Sequence, residues 1–158
     1  MERFQIPPGF KIVSGGQTGA DRAGLDWAIA HGVPHGGWCP RGRRAEDGVI
    51  PARYQLTETP NAGYPQRTEW NVRDSDGTVI FTLSEQLKGG SLKTVNFAIK
   101  LRKPFIRISP HVDPTHLAHF LASRSVGTLN IAGSRESGSP GIYERVLEVL
   151  DEALIPPK

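Results

Sequence analysis

The sequence predicts an α/β fold, a three-layer Rossmann-like sandwich around a mostly parallel sheet. Five short apolar runs rich in β-branched residues alternate with segments in which apolar residues recur every three or four positions. Loops that contain glycine follow three of these runs. Strands that alternate with helices are joined by right-handed crossovers, so neighbouring strands run parallel and helices cover both faces of the sheet.

The predicted strands are residues 11–14, 34–39, 78–83, 105–108 and 128–132. Helical periodicity predicts one helix after the first strand and a second after the Gly89-Gly90 pair. A third predicted helix runs from residue 113 to residue 123. The last helix follows Ser139, with that serine as its cap and Pro140 at its first position. Its apolar face comprises Ile142, Val146, Val149, Leu150 and Ala153.

Residues 40–76 interrupt this alternation. The segment is rich in charged residues, glycine and proline, and it has room for one short helix around residues 66–73. Long irregular segments in compact domains are usually functional or disordered. The chain has no low-complexity run or linker, which favours a functional segment.

Length and composition predict one globular domain over residues 1–158, located in the cytoplasm. No apolar stretch approaches the roughly 20 residues of a membrane span. A single cysteine, Cys39, excludes an internal disulfide framework and a cysteine-rich metal site. The net charge of +3 is mild and the basic residues are scattered, so nucleic acid is not favoured as a partner.

The loop after the first strand has the composition of an anion site. Glycines allow close approach of a ligand to the backbone, and free N–H groups at a helix N-terminus favour phosphate. Thr18 and Asp21 have the spacing of a capping box. The alternative is a turn that serves packing alone, since the loop matches neither the Walker A nor the dinucleotide fingerprint. The candidate residues are Gly15, Gly16, Gln17, Thr18, Gly19 and Asp21.

Three further strand ends carry candidate ligand-binding loops. The loop at residues 40–48 offers arginine for a phosphate and acids that orient it or bind a hydroxyl, or else it is a solvated loop with local ion pairs. The other two combine glycine with hydroxyl side chains. In a parallel sheet these loops meet at one edge, which predicts a shared pocket for a polyanionic ligand. The candidates are Arg43, Glu46 and Asp47, then Gly89, Gly90, Ser91 and Thr94, then Gly133, Arg135 and Ser137.

A short helix can bring three polar residues to one face, because Arg67, Asn71 and Asp74 follow one another at helical spacing. This face can contact a ligand, or it can belong to a surface helix that ends at an Asp-Gly turn.

The five histidines lack partners at metal-ligand spacing, so no metal site is predicted. Cys39 precedes a proline at a strand end and is better explained as a packed thiol than as a nucleophile. Carboxylates are available for acid–base chemistry, but the sequence does not rank them by pKa. No catalytic residue is therefore assigned.

Five ordered motifs between about residues 11 and 152 resemble the "putative molybdenum carrier" family. That family belongs to a Rossmann-like nucleotide-binding group related to the lysine-decarboxylase-like phosphoribohydrolases. The motifs are residues 15–21, 42–48, Arg67-Thr68 with 71–77, Gly89-Gly90 and 130–137.

The resemblance implies a homo-oligomer whose strand-end loops hold a phosphorylated ligand such as molybdenum cofactor or a nucleotide. It also implies that Thr68 is one of the ligand-binding residues. The related hydrolases carry catalytic glutamates after their second glycine pair, whereas this chain has Ser91, Thr94, Val95 and Asn96 there. The sequence therefore predicts a binding or carrier protein for a small phosphorylated ligand. The alternative is an enzyme that hydrolyses or processes a nucleotide or an ADP-ribose derivative.

Overall fold

The computed structural model describes residues 2–158, so Met1 of the predicted domain lies outside the described residues. Five parallel strands form the central sheet, in the order β3-β2-β10-β8-β9. The strands are β1 Phe4–Gln5, β2 Lys11–Val13, β3 His35–Gly36, β4 Trp38–Cys39, β5 Arg44–Ala45, β6 Gly48–Val49, β7 Thr57–Glu58, β8 Gly77–Phe81, β9 Phe105–Ile108, β10 Thr128–Gly133 and β11 Leu154–Ile155. The helices are α1 Ala20–Ala30, α2 Tyr64–Arg73, α3 Gly89–Lys100, α4 Thr115–Ser123 and α5 Ile142–Ala153.

The last strand of the sheet along the chain, β10, lies at its centre between β2 and β8. Asn130 is paired with Val13 of β2 on one side and with Thr78 of β8 on the other. All four neighbouring pairs in the sheet are parallel, which confirms the predicted sheet. The carboxyl ends of β2, β8 and β10 therefore open at the same edge.

Helices cover both faces of the sheet, as predicted for a three-layer Rossmann-like sandwich. The main core joins apolar residues of α1, α4 and α5 to alternate strand residues such as Val79, Leu129 and Ile131. The residues between them, Ile80 and Asn130, are buried on the opposite face. That second face is covered by α2 and α3, which pack against each other.

The predicted strand at residues 34–39 is wrong in one respect, because it breaks at Gly37. This glycine has a φ of +126°, and a Cβ there would lie 2.3 Å from the carbonyl oxygen of Ser14. The chain turns at Gly37, so β3 stays in the central sheet and β4 leaves it to pair with β7.

The predicted start of the last helix is also wrong. Helix α5 begins at Ile142, its N-cap is Gly141 with a φ of +96°, and the Ser139 side chain makes no capping hydrogen bond. The Glu136 carboxylate takes that role, because it accepts hydrogen bonds from the N–H groups of Gly141 at 2.8 Å and Tyr143 at 3.1 Å. The predicted apolar face of α5 is buried.

Residues 40–76 are ordered around a second, smaller apolar core. Leu25, Cys39, Ile50 and Tyr54 form this core, and each is almost completely buried. The segment contains the β5–β6 hairpin, the strand β7 and helix α2. Within residues 2–158 no helix has the length and apolar character that a bilayer crossing requires.

Candidate functional site

A cleft of about 490 Å³ opens at the carboxyl ends of β2 and β10, with α2 and the first turn of α3 as its walls. Such a position is where parallel sheets bind ligands. The predicted residues that line this cleft are Gly15, Gln17, Asp21, Arg67, Thr68, Asn71, Gly89, Gly90, Ser91, Thr94, Gly133 and Arg135. The other candidates, Gly16, Thr18, Gly19, Arg43, Glu46, Asp47, Asp74 and Ser137, do not line it.

The first turn of α3 presents backbone N–H groups to the cleft. The initial N–H groups of a helix have no partner inside it, and no side chain caps α3. A Cβ built on Gly89 or Gly90 would meet no atom within 4 Å, so a ligand can approach the backbone there. This turn has the geometry of an anion site.

Two lysines flank this turn and line the cleft. Neither Lys88 nor Lys93 forms an ion pair with a carboxylate of residues 2–158. Ser91 and Thr94 lie on the same side of α3, and the Thr94 hydroxyl donates to the carbonyl of Gly90 at 2.8 Å. The α3 end of the cleft is therefore cationic and rich in hydrogen-bond donors.

The glycine loop after β2 differs from the predicted anion cradle, because nearby side chains accept hydrogen bonds from three of its N–H groups. The N–H of Gly16 donates to Ser14 Oγ at 3.4 Å, that of Gln17 to Asp21 Oδ2 at 3.2 Å and that of Thr18 to Gln17 Oε1 at 3.1 Å. These bonds stabilise the turn and occupy the N–H groups of Gly16, Gln17 and Thr18.

The predicted capping box at this loop is wrong. The N-cap of α1 is Gly19, with a φ of +82°, and α1 has no side-chain cap. The Thr18 hydroxyl instead donates to the Glu46 carboxylate. A Cβ on Gly16 would meet side-chain carbons of Leu56 and Ile50 rather than the cleft, so this glycine serves packing.

Asp21 and Arg67 form a buried ion pair in the wall of the cleft, with 2.8 Å between Oδ2 and Nη1. The pair depends on Gly15, because a Cβ there would lie 1.7 Å from Arg67 Nη1. Burial raises the pKa of the Asp21 carboxyl, and the charge and hydrogen bond of Arg67 oppose that shift. Asp21 is the one acidic side chain in the lining formed by the described residues.

Asn71 and Gln17 also line the cleft, and each anchors a second segment. The Asn71 amide accepts from the N–H of Trp38 at 2.8 Å and donates to its carbonyl at 2.9 Å, which holds β4 against α2. Gln17 Oε1 accepts from the N–H of Glu46 at 2.9 Å as well as from Thr18. Gln17 Nε2 is buried without a hydrogen-bond partner among residues 2–158.

Arg43 does not have the predicted role of a phosphate ligand, because backbone oxygens occupy its guanidinium group. It donates to the carbonyls of Ile50 at 3.1 Å, Pro51 at 2.9 Å and Tyr54 at 2.8 Å. These bonds hold residues 50–54 against the hairpin. The Arg43 guanidinium therefore stabilises the fold instead of contacting a ligand in the cleft.

Glu46 and Asp47 connect the β5–β6 hairpin to its neighbours instead of facing a ligand. Asp47 accepts two hydrogen bonds from Arg22, at 2.5 and 2.8 Å, and these bonds lower its pKa. Burial tends to raise the pKa of Glu46, but hydrogen bonds from Ser137 and Thr18 outweigh it and lower the pKa. Ser137 donates to Glu46 through its hydroxyl at 2.5 Å, and Arg135 lies 4.0 Å from the same carboxylate.

Asp74 lies outside the cleft, at the C-terminal end of α2. Its carboxylate accepts from Trp38 Nε1 at 2.9 Å and from the Arg73 guanidinium at 2.8 Å. These hydrogen bonds lower the pKa of Asp74, and the bond from Arg73 has the largest effect. The helix brings Arg67 and Asn71 to the cleft, as predicted from their spacing, but its end turns Asp74 to the surface.

The cleft lining also includes residues that sequence reasoning did not propose as ligand-binding, among them Tyr64, Lys88, Lys93 and Asn130. The two lysines flank the Gly89-Gly90 pair, and that position was a usable signal. Guanidinium carbons of Arg44, Arg67 and Arg135 lie 5.5, 5.3 and 5.9 Å from the centre of the Tyr64 ring. Asn130 begins the 130–137 motif, whereas no sequence signal marks Tyr64, which loop packing brings to the cleft.

Residues 12–154 match the model of the circularly permutated YpsA SLOG family. The chain belongs to this family. It is also similar to a solved structure from Syntrophus aciditrophicus SB that carries the name "Putative molybdenum carrier protein", with a TM-score of 0.86 and 46% sequence identity. The alignment covers 91% of this chain and 94% of that one. The two findings confirm the resemblance in the sequence, and no curated protein matches the chain.

Proposed function

We propose that this protein binds a small phosphorylated ligand in the cleft, with the phosphate at the N-terminus of α3. The observation that carries the proposal is an uncapped helix N-terminus whose two glycines leave open space and whose two lysines lack acidic partners among residues 2–158. Backbone N–H groups and the helix dipole favour an anion there, and lysine adds positive charge.

We further propose that the ligand is carried rather than transformed, with molybdenum cofactor first and a nucleotide second. The similar structure is named as a molybdenum carrier, and molybdenum cofactor is a pterin that bears a phosphate. The first turn of α3 would hold that phosphate through Gly89, Gly90 and Ser91. The donors in the cleft are N–H, hydroxyl and ammonium groups, which suit oxygen atoms of phosphate or molybdate.

The second candidate is an enzyme that processes a nucleotide or an ADP-ribose derivative. Asp21 favours it, because it is acidic, lines the cleft and has a raised pKa through burial. The same carboxylate already accepts hydrogen bonds from Arg67 and from the N–H of Gln17, so it is committed to the wall of the cleft. The carrier role therefore has the stronger support.

The test is ligand capture and calorimetry. We expect native mass spectrometry of freshly purified protein to detect a phosphorylated compound, and isothermal titration calorimetry to measure binding of phosphate, molybdate or nucleoside monophosphates. Replacing both Lys88 and Lys93 by Met should weaken binding at least about tenfold, since two unpaired charges are lost at the site.

Lys100→Met is the matched control, because Lys100 lies at the far end of α3 and contacts Glu69 at 3.4 Å. Equal loss of affinity in the control and the double variant would contradict the proposed site. Failure to bind any of these compounds would contradict the function. Release of a base or a sugar from a nucleotide panel would favour the enzyme.

We also infer one domain over residues 1–158, a cytoplasmic location and a homo-oligomer, the last of these from the family resemblance. Size-exclusion chromatography with light scattering measures the oligomeric state. A mass near the 17.3 kDa of a single chain would contradict the oligomer.

A further inference from the structure

Two buried N–H donors in the wall of the cleft lack acceptors. Gln17 Nε2 and Arg67 Nε have no hydrogen-bond partner among residues 2–158, and both residues line the cleft. Buried polar groups are satisfied in the great majority of cases, so two unpaired donors in one wall indicate a missing acceptor. The other unpaired donor of this kind, Arg145 Nε, lies on α5, outside the cleft lining.

The orientation of the Gln17 amide is determined by its neighbours. Its Oε1 accepts hydrogen bonds from two backbone N–H groups, those of Thr18 and Glu46, and an amide nitrogen in that position would face two donors. Neither Thr18 nor Glu46 lines the cleft, whereas Gln17 does. The oxygen therefore faces the N–H groups of Thr18 and Glu46, and the NH₂ group is the part of this cleft-lining side chain that has no partner among residues 2–158.

The charge around these two donors favours a neutral acceptor over a second anion. The Asp21 carboxylate lies 2.8 Å from Arg67 Nη1 and balances the guanidinium charge. An anion beside Arg67 Nε would also be close to this carboxylate, which is buried and weakly screened. The α3 end of the cleft differs, because its two lysines have no acidic partner among the described residues.

We propose that Gln17 and Arg67 form a second subsite, which binds a carbonyl oxygen on an uncharged heterocycle while the first turn of α3 binds the phosphate. This inference rests on the proposed function and extends it to the other end of the ligand. An oxo-purine and an oxo-pterin both carry the required group. An amino-purine carries a donor at the corresponding position, which would face the two N–H groups.

The experiment compares inosine monophosphate with adenosine monophosphate by isothermal titration calorimetry, because the oxo and amino groups at position 6 distinguish the two bases. We expect the oxo compound to bind at least about tenfold more tightly to the natural chain, since a site with unpaired donors discriminates strongly. The phosphate-free compound 6-hydroxymethylpterin tests the pterin. Because this compound lacks a phosphate, measurable binding of it would support the heterocycle subsite directly.

Gln17→Glu is the most informative variant, because it retains the Oε1 acceptor for Thr18 and Glu46 and removes the NH₂ donor. We expect the preference for the oxo base to fall severalfold, because Gln17 supplies one of the two donors of the subsite and Arg67 retains the other. Gln17→Met removes the donor without adding a charge and should have the same effect on the preference. Lys88→Met is the control, and it should weaken both nucleotides equally and leave their ratio unchanged.

Equal affinity of the natural chain for the two nucleotides would overturn the second subsite, and so would an unchanged ratio in both Gln17 variants. Binding of phosphate or molybdate without binding of any heterocycle would also overturn it, while the proposed function would stand. If none of these compounds binds, the proposed function fails together with the subsite.

Discussion

Gly15 shows how a single residue type makes room for charged side chains in the cleft wall. Arg67 passes so close to the backbone of Gly15 that a methyl group would occupy the position of its guanidinium. The guanidinium is then held by the Asp21 carboxylate. Here glycine is required for space, since its φ is not among the positive values of the chain.

We expect Gly15→Ala to lower the free energy of unfolding by about 3 kcal/mol, because the added methyl separates Arg67 from Asp21 and leaves a buried charge unpaired. Chemical denaturation followed by circular dichroism measures the loss. Gly90→Ala is the matched control, since a Cβ there meets no atom within 4 Å. It should change stability by less than about 1 kcal/mol. Equal effects of the two substitutions would contradict the role given to Gly15.

Gly16→Val should destabilise the fold, because Gly16 packs against the second core and does not line the cleft. The new side chain would meet Leu56 and Ile50 and would sit at a φ of +77°. We expect a loss of about 2 kcal/mol or more in unfolding free energy from overpacking and backbone strain. A variant as stable as the natural chain would show that the loop relaxes freely.

At the scale of elements, the β5–β6 hairpin is attached to the body of the molecule by its two acidic residues. Asp47 binds Arg22 of α1, and Glu46 binds Thr18 before α1 and Ser137 before α5. The hairpin thereby joins the loops that follow β2 and β10. These are two of the segments that line the cleft.

Glu46→Gln should lower the unfolding free energy by about 1 kcal/mol at pH 7. The pKa of Glu46 is lower in the folded state, so its stabilising contribution is complete above the ordinary glutamate pKa and is lost as the pH falls through the folded value. The difference between variant and natural chain should therefore shrink toward pH 3. Urea denaturation at pH 7, 5 and 3 measures it, with the exposed Glu148→Gln as the control.

At the scale of the whole molecule, the two faces of the sheet differ in polarity: one contains the main apolar core and the other lies beside the cleft. The face under α1, α4 and α5 is apolar and contains the main core. The face under α2 and α3 buries polar side chains such as Thr78 and Asn130 beside the cleft. Because β10 contributes alternate residues to both faces, we expect that stability and the proposed ligand binding can be changed separately.

Leu129→Ala should destabilise the protein by about 3 kcal/mol, because Leu129 is fully buried in the central strand and its loss leaves a cavity. Ligand affinity of the folded variant should stay within about twofold, since the side chain faces away from the cleft. Thermal unfolding and calorimetry test the two parts. Val49→Ala, at a side chain that is 74% exposed, should change neither.

Periodicity predicted the sheet and the helices because burial on one face repeats every two or every 3.6 residues. The apolar face of α5 is an example: all five of its predicted residues are buried. The caps were harder to predict. Ser139 had the right residue type for a cap, but Glu136 reaches the N–H groups of α5 through a loop conformation that local sequence does not encode.

By itself, the sequence determined the α/β class, the parallel sheet and the strand ends at which the cleft opens, because these follow from local periodicity and from the geometry of crossovers. Tertiary structure alone decided which of the loops offers free donors. The glycine loop after β2 uses its N–H groups on Ser14, Asp21 and Gln17, whereas the first turn of α3 has no side-chain cap. Both loops have glycine and hydroxyl residues, and the folded conformation of each loop, rather than its composition, decides which of its N–H groups find a side-chain acceptor.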